Sequence, residues 1–126
     1  MKHRLTDKEE ELMNIMWERG PLFVREIVEL YPEPRPHFNT ISTYVRALEA
    51  KGLLCHEAFG NTYRYEAAIS REDYGTSWLR SVVDRYFGSS LRATVSALCA
   101  TENISDDELR QLLDMVNKSK REKTDE

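Results

Sequence analysis

The residues Asn39–Lys51 form the stretch that most constrains the fold of this chain. Apolar side chains recur in it at the spacing of one helical face: Ile41, Tyr44, Val45 and Leu48. The opposite face carries small hydrogen-bonding side chains and one arginine, without a carboxylate: Asn39, Ser42, Thr43 and Arg46. A solvated helix face usually mixes Glu and Lys, whereas this one can approach phosphates and base edges without charge repulsion. The stretch therefore predicts a helix that packs by one side and contacts DNA by the other; the alternative is a surface helix that is poor in charge.

Two further helices are predicted upstream. Thr6 and Glu9 form a capping box, which predicts a first helix that ends at Gly20-Pro21. A second, short helix is predicted over Phe23–Tyr31, with a buried side made of Phe23, Val24, Ile27 and Leu30.

A proline-rich connection leads from the second helix to the central one. Prolines at positions 32, 34 and 36 exclude a helix and hold this segment extended. We expect Asn39 to cap the central helix, and His37 to be a loop residue rather than a metal ligand.

A β-hairpin is predicted after Gly52. Gly60-Asn61 lies between two β-rich runs, Leu53–Phe59 and Thr62–Ala67, which favours a two-residue turn of the II′ kind. In that register Glu57 faces Arg64, Ala58 faces Tyr63, and His56 faces and packs on Tyr65. Residues 1–69 therefore predict a winged helix-turn-helix, whose third helix would enter a major groove while the hairpin tip lies near the backbone or a minor groove.

Residues 70–118 predict three more helices, each with an apolar stripe. Ser70 followed by Asp73 caps the first of them, and Ser105 with Glu108 is a second capping box. A region of this size buries too little of its surface alone, so we expect its apolar residues to form a homodimer interface: Tyr74, Trp78, Val82, Tyr86, Phe87, Leu91, Val95, Leu98, Leu109, Leu112, Leu113 and Val116. The alternative is a monomer in which these helices fold back on the winged helix. Residues 119–126 form a charged tail that is expected to fray.

The fold class is thus mostly α with a small β-hairpin, an N-terminal winged helix-turn-helix followed by a C-terminal helical dimerisation region. The net charge of −4 disfavours nucleic-acid binding slightly. Locally the balance is reversed, because residues 35–65 carry four Lys or Arg and two Glu.

No apolar run reaches the length of a membrane span and the N-terminus has no apolar signal core, so a cytoplasmic location is expected. Cys55 and Cys99 are expected to be buried, reduced thiols.

The residues described so far resemble the penicillinase-repressor (BlaI/MecI type) family of winged-helix transcriptional repressors. The resemblance covers about residues 4–118 and rests on Leu5-Thr6 with Glu9, Met16-Trp17, Thr40-Ile41-x-Thr43-x-x-x-x-Leu48, Lys51-Gly52, Gly60 with Tyr65, and Ile104-Ser105-x-x-Glu108-Leu109. It implies a bacterial homodimer that holds a palindromic operator, with Thr40, Ser42, Thr43 and Arg46 facing the groove.

Three departures from the family pattern bear on regulation and on DNA contact. In the antibiotic-responsive branch a membrane sensor protease leads to cleavage between Asn and Phe, but the aligned residues here are Ala97-Leu98. The copper-responsive branch has a C-terminal cysteine cluster, whereas that region here has only Cys99. The wing has Asn61 where members often have arginine, so Arg64 is the candidate for its phosphate contact.

The leading hypothesis is a sequence-specific repressor without a cofactor or metal. Arg46 is predicted to contact guanine or phosphate, and Asn39, Thr40, Ser42 and Thr43 to contact phosphate or bases. Arg35, Lys51, Asn61 and Arg64 complete the predicted DNA-binding set. The second hypothesis is a winged-helix protein-interaction adaptor that does not bind DNA. An enzyme is not expected, because we find no Gly-rich phosphate loop, no HExxH and no supported nucleophile–base set.

Overall fold

The computed structural model describes residues 4–101 and 103–125, and the described residues fall into two compact units that divide after Ser81. The described residues do not include Met1–His3, Glu102 and Glu126. These were predicted to lie at the start of the winged helix, between two helices and in the tail, respectively. The elements, in chain order, are α1 (Asp7–Arg19), β1 (Leu22–Phe23), α2 (Val24–Glu29), α3 (Phe38–Ala50), β2 (Leu54–Phe59), β3 (Thr62–Ala67), α4 (Arg71–Tyr86), α5 (Leu91–Thr101) and α6 (Asp106–Asp125).

The N-terminal unit has one core, built from α1, α2, α3 and the sheet. The predicted apolar side of α3 is confirmed, since Ile41, Val45 and Leu48 are at most 1% exposed. Each of the other elements contributes fully buried side chains: Leu12 and Met13 from α1, Ile27 from α2, and Leu53 and Leu54 before and within β2. The mostly helical winged-helix fold predicted from the sequence is therefore confirmed.

The predicted start of α1 is confirmed as a capping box. The Thr6 hydroxyl accepts from the Glu9 amide, and the Glu9 carboxylate accepts from the Thr6 amide. At the other end Trp17 is half-buried, and its indole N–H donates to the Ile69 carbonyl at 2.9 Å. This bond joins α1 to the segment after the wing.

The second helix differs from the prediction. Leu22 and Phe23 form a short strand that pairs with Tyr65 and Arg64 of β3, so α2 begins only at Val24. Phe23 therefore belongs to a three-stranded sheet of order β1-β3-β2 and not to a helical face. Leu30, expected to be buried, is 37% exposed because α2 has already ended at Glu29.

The wing has the predicted register. Glu57 pairs with Arg64, Ala58 with Tyr63 and His56 with Tyr65, and Gly60 has the positive φ of 61° that the first position of a II′ turn requires. His56, however, stacks mainly on Tyr63, with ring centroids 4.2 Å apart, and contacts Tyr65 only at a tilt. The diagonal neighbour is in reach because both tyrosines stand on the same sheet face.

The C-terminal unit contains the end of α4, α5 and α6. The Ser105 hydroxyl accepts from the Glu108 amide, as the predicted capping box requires. The helix that this cap opens runs to Asp125, beyond the predicted end near Lys118, since its polar C-terminal half contains no Gly or Pro that would stop it.

Two burial predictions about the cysteines were wrong. Cys55 and Cys99 are both free and exposed. Cys55 is on β2 of the wing and faces away from the core, and Cys99 lies on an open side of α5. Among the described residues, no helix is both long and apolar enough to cross a bilayer.

Candidate nucleic-acid interface

The polar side of α3 is open to solvent. Asn39, Thr43 and Arg46 are exposed and Ser42 is half-buried. The packing of Ile41, Val45 and Leu48 fixes the rotation of the helix, so the opposite stripe must face outward. The protein's own core therefore does not cover the residues predicted to contact DNA.

Side chains of this stripe are ordered by the backbone of their own helix. The Thr43 hydroxyl donates to the Asn39 carbonyl at 2.9 Å, and Arg46 Nε donates to the Ser42 carbonyl at 3.2 Å. No ion pair between Arg46 and a carboxylate occurs in the part of the chain that the structure describes. The outer guanidinium nitrogens can therefore serve a base edge or a phosphate.

The cap of α3 is His37 and not Asn39. The helix begins at Phe38, and His37 Nδ1 accepts from the Asn39 amide at 3.0 Å. Position 37 holds the extended backbone of a cap (φ −68°, ψ 146°). Asn39 lies in the first turn, with its side chain exposed.

Lys51 was predicted to contact phosphate, but it holds an intramolecular ion pair. Its ammonium donates to both carboxylate oxygens of Glu9, at 2.7 and 2.9 Å. The Glu9 side chain is 8% exposed and that of Lys51 is 30% exposed. Burial raises the pKa of Glu9, but hydrogen bonds from Lys51 and Thr6 outweigh it, so the pKa lies below its ordinary 4.5. Lys51 therefore joins the end of α3 to α1, and we leave it out of the proposed DNA contacts.

The other two predicted phosphate contacts, Arg35 and Arg64, have weak exposed partners. Arg35 pairs with Glu33 at 3.6 Å, and Arg64 pairs with Glu57 at 3.4 Å and lies over the Phe59 ring at 4.7 Å. Exposed pairs of this kind contribute between zero and about 1 kcal/mol. Either arginine could exchange its carboxylate for a phosphate at little cost.

A pocket of about 380 Å³ lies between the polar side of α3 and the wing. Ser42 and Asn61, both predicted DNA contacts, line it together with Arg25. Arg25 is not predicted from the sequence, because it has the pattern of an ordinary solvent-facing residue of α2. Arg25 lines the same pocket as Asn61 because β1 pairs with β3. The strand β1 has only two residues, too few to be predicted from the sequence. Thr40 lines a separate pocket beside Tyr31 and Tyr44.

The predicted dimer residues are mostly uncovered. Those more than one third exposed lie on all three C-terminal helices: Tyr86, Leu91, Val95, Leu98, Leu109, Leu112, Leu113 and Val116. Trp78, Val82 and Phe87 are half-buried. Tyr74 packs on Trp17, and its hydroxyl accepts from the Leu5 amide at 3.1 Å. Tyr74 is thus used inside the N-terminal unit, and the interface proposed below is drawn without it.

A model of the family described as "Penicillinase repressor" matches residues 5–118. This chain belongs to the penicillinase repressor family. It is 25% identical over 121 residues to the penicillinase repressor of Bacillus licheniformis, covering 95% of this chain and 94% of the relative. It is also 21% identical over 119 residues to the methicillin resistance regulatory protein MecI of Staphylococcus aureus strain N315, covering 92% and 95%.

A solved structure of the transcriptional regulator SlyA is similar with a TM-score of 0.46 and 16% identity, covering 96% of this chain and 78% of that one. The penicillinase repressor family consists of transcriptional regulators and not of enzymes. Within the described residues, no group of His, Cys, Asp and Glu is arranged to hold a metal ion.

Proposed function

We propose that this member of the penicillinase repressor family is a repressor that binds a palindromic DNA operator as a homodimer, with α3 in the major groove. The observation that carries the proposal is the two-sided α3: three buried apolar residues fix the helix, and the opposite side exposes Asn39, Thr43 and Arg46. A helix of about this length fits the major groove, where arginine reads guanine by paired hydrogen bonds.

The wing supports the same placement. Gly60-Asn61 forms its exposed tip, and Arg64 stands on the strand that follows. Side chains at such a tip can reach a phosphate or the edge of a minor groove while α3 is in the adjacent major groove. Arg35 before the helix and Arg64 in the wing would supply phosphate contacts on either side.

The dimer is supported by the uncovered apolar residues of α5 and α6. In the described part of the C-terminal unit, only Val83 and Thr94 are buried. A second copy would cover the apolar residues and present two copies of α3 to inverted half-sites about one DNA turn, roughly 34–36 Å, apart.

The decisive experiment compares Arg46→Ala with Arg19→Ala in fluorescence anisotropy titrations on DNA from the protein's own upstream region. Arg19 is also exposed, but it ends α1. We expect Arg46→Ala to weaken operator binding by about 1–3 kcal/mol because a groove contact is lost, and Arg19→Ala to have little effect. Equal affinities of the wild type and Arg46→Ala would remove α3 from the interface.

Salt dependence gives a second, independent readout. Each phosphate contact adds about −0.9 to the slope of log affinity against log salt concentration. Arg64→Gln should therefore flatten the slope by about 1, whereas a slope near zero for the wild type would contradict phosphate contacts.

The alternative, an adaptor that binds proteins and not DNA, is favoured by one observation, the net charge of −4. It predicts no retention on DNA at low salt together with a co-purifying protein partner. The same anisotropy titration, performed at low salt, distinguishes the two functions.

A further inference from the structure

The wall of the pocket between α3 and the wing includes two aromatic residues that lie outside the buried core. Phe38, at the start of α3, and Tyr63, on β3, are each 49% exposed although both line this cavity. The buried ring of Tyr65, on the same sheet face as Tyr63, adds a further aromatic surface. Half-exposed aromatic rings that converge on a cavity of about 380 Å³ are typical of a small-molecule site rather than of ordinary surface residues.

One charged residue lines this pocket, and it is a cation. Arg25 makes no ion pair with a carboxylate in the part of the chain that the structure describes, and no acidic residue lines the cavity. The remaining polar groups are neutral: Ser42, Asn61 and Thr62. The Thr62 hydroxyl already donates to the Phe59 carbonyl at 3.0 Å. The charge of the site thus calls for an anionic ligand, and the planar guanidinium favours a carboxylate, which it can bind by two parallel hydrogen bonds.

We propose that this pocket binds a small aromatic carboxylate. Its ring system lies among Phe38, Tyr63 and Tyr65, and its carboxylate pairs with Arg25. A compound of one or two fused rings suits the volume, because pockets of about 300 Å³ and above enclose most of a small ligand. Offset stacking and edge contacts with the aromatic walls supply most of the binding, and Arg25 selects the charge.

Binding of this ligand also regulates DNA binding, a part of the inference that rests on the proposed function. Ser42 and Asn61 line the pocket and belong to the proposed DNA surface. A ligand held between them occupies the space that a DNA backbone needs between α3 and the wing. The aromatic carboxylate is therefore an inducer that competes with the operator.

The binding test uses 2-naphthoate as the probe and 2-naphthamide as its neutral match, with the full-length protein and no DNA. From typical affinity per ligand atom, we expect a Kd on the order of 1 mM or below for the acid, by isothermal titration calorimetry and by shifts of the Ser42 and Asn61 amide resonances. The amide and the Arg25→Ala variant should each bind at least about tenfold more weakly, because a charge-assisted pair is lost. Arg25→Lys should retain part of the affinity, and Arg19→Ala all of it.

If 2-naphthoate does not bind at about 5 mM, the proposed site is wrong. This concentration is roughly five times the weakest Kd expected from the per-atom affinity. Equal binding of acid and amide would overturn the assignment to carboxylates, and this comparison needs no protein variant. Phe38→Ala should weaken binding of both probes; because Phe38 is half-exposed, the variant is expected to fold.

The competition test adds the upstream DNA fragment. At a 2-naphthoate concentration ten times its Kd, competition raises the apparent operator Kd about elevenfold for the wild type and little for Arg25→Ala. An unchanged operator affinity with the site occupied would overturn the inducer role. If the fragment does not bind at all without the probe, the proposed function fails, whereas direct binding of 2-naphthoate still decides the ligand site.

Discussion

At the residue scale, Glu9 and Lys51 join α1 to the end of α3. The carboxylate of Glu9 is almost buried, and the Lys51 ammonium donates to both of its oxygens. We expect Lys51→Met to destabilise the fold by about 2–4 kcal/mol, since removal of one partner leaves a buried charge without its pair. Chemical denaturation measures the loss. The double variant Glu9→Gln with Lys51→Met is the control and should recover much of it.

The same pair gives a signed pH dependence. The pKa of folded Glu9 is below its ordinary 4.5, so the wild type gains stability from this group above that value. The gain is lost as the pH falls through the folded-state pKa. Without Lys51 the burial of Glu9 raises its pKa in the variant. The difference in unfolding free energy between the wild type and Lys51→Met should therefore be largest where Glu9 is charged in both proteins, and shrink on acidification. A difference that does not depend on pH would show that Lys51 acts through its apolar stem alone.

Cys55 is exposed, yet its surroundings disfavour the thiolate form of its side chain. Partial burial raises the pKa of its thiol, and the negative charges of Glu66 and Glu49 and a hydrogen bond to Glu66 raise it further. Because the thiolate is the reactive form, iodoacetamide at pH 8 should alkylate Cys55 several-fold more slowly in the folded protein than in urea. Glu66→Gln should speed the reaction in the folded protein. Peptide mass spectrometry follows the modification, and equal folded and unfolded rates would contradict the assignment.

At the scale of elements, local signals predicted what local chemistry determines. The capping box of Thr6 and Glu9, the two-sided α3 and the Gly60-Asn61 hairpin each depend on residues close in sequence, and all were found. The strand Leu22–Phe23 was missed because two residues carry no periodicity and pair only once β3 is in place. The ion pair between Lys51 and Glu9 joins residues that are distant in sequence. The place of Arg25 in the pocket likewise depends on residues of α3 and the wing, which are distant from it in sequence. For this reason neither the ion pair of Lys51 nor the place of Arg25 in the pocket was predicted from the sequence.

Two glycines with equally open surroundings should respond to alanine in opposite ways. Neither Gly60 nor Gly75 has an atom within 4 Å of an added Cβ. Gly60 has φ +61° at the wing turn, so Gly60→Ala should destabilise by about 1 kcal/mol. Gly75 lies inside α4, where alanine should stabilise by about 0.5–1 kcal/mol. Thermal melting monitored by circular dichroism tests both, and shifts of the same sign would contradict this account.

At the scale of the whole molecule, the proposed dimer rests on apolar residues that are exposed in the C-terminal unit. In α6 the apolar residues follow helical spacing, yet Leu109, Leu112, Leu113 and Val116 are 39–63% exposed. A helix with such a stripe gains most of its stability from packing that stripe against another surface. In the proposed dimer, a second copy with two-fold symmetry would offer the same stripe in return.

Leu113→Glu should therefore convert the protein to a monomer, because a charge at the centre of the stripe would have to be buried without a partner. Gln111→Glu adds the same charge to the same helix at an exposed polar position, and it should leave the dimer intact. Sedimentation velocity measures the assembly, and anisotropy on the upstream DNA measures its consequence. Because a monomer engages one half-site at a time, Leu113→Glu should lose most operator affinity while its N-terminal unit stays folded. If Leu113→Glu stayed dimeric, the interface would not involve α6; if it became monomeric with full affinity, the two copies of α3 would not act together.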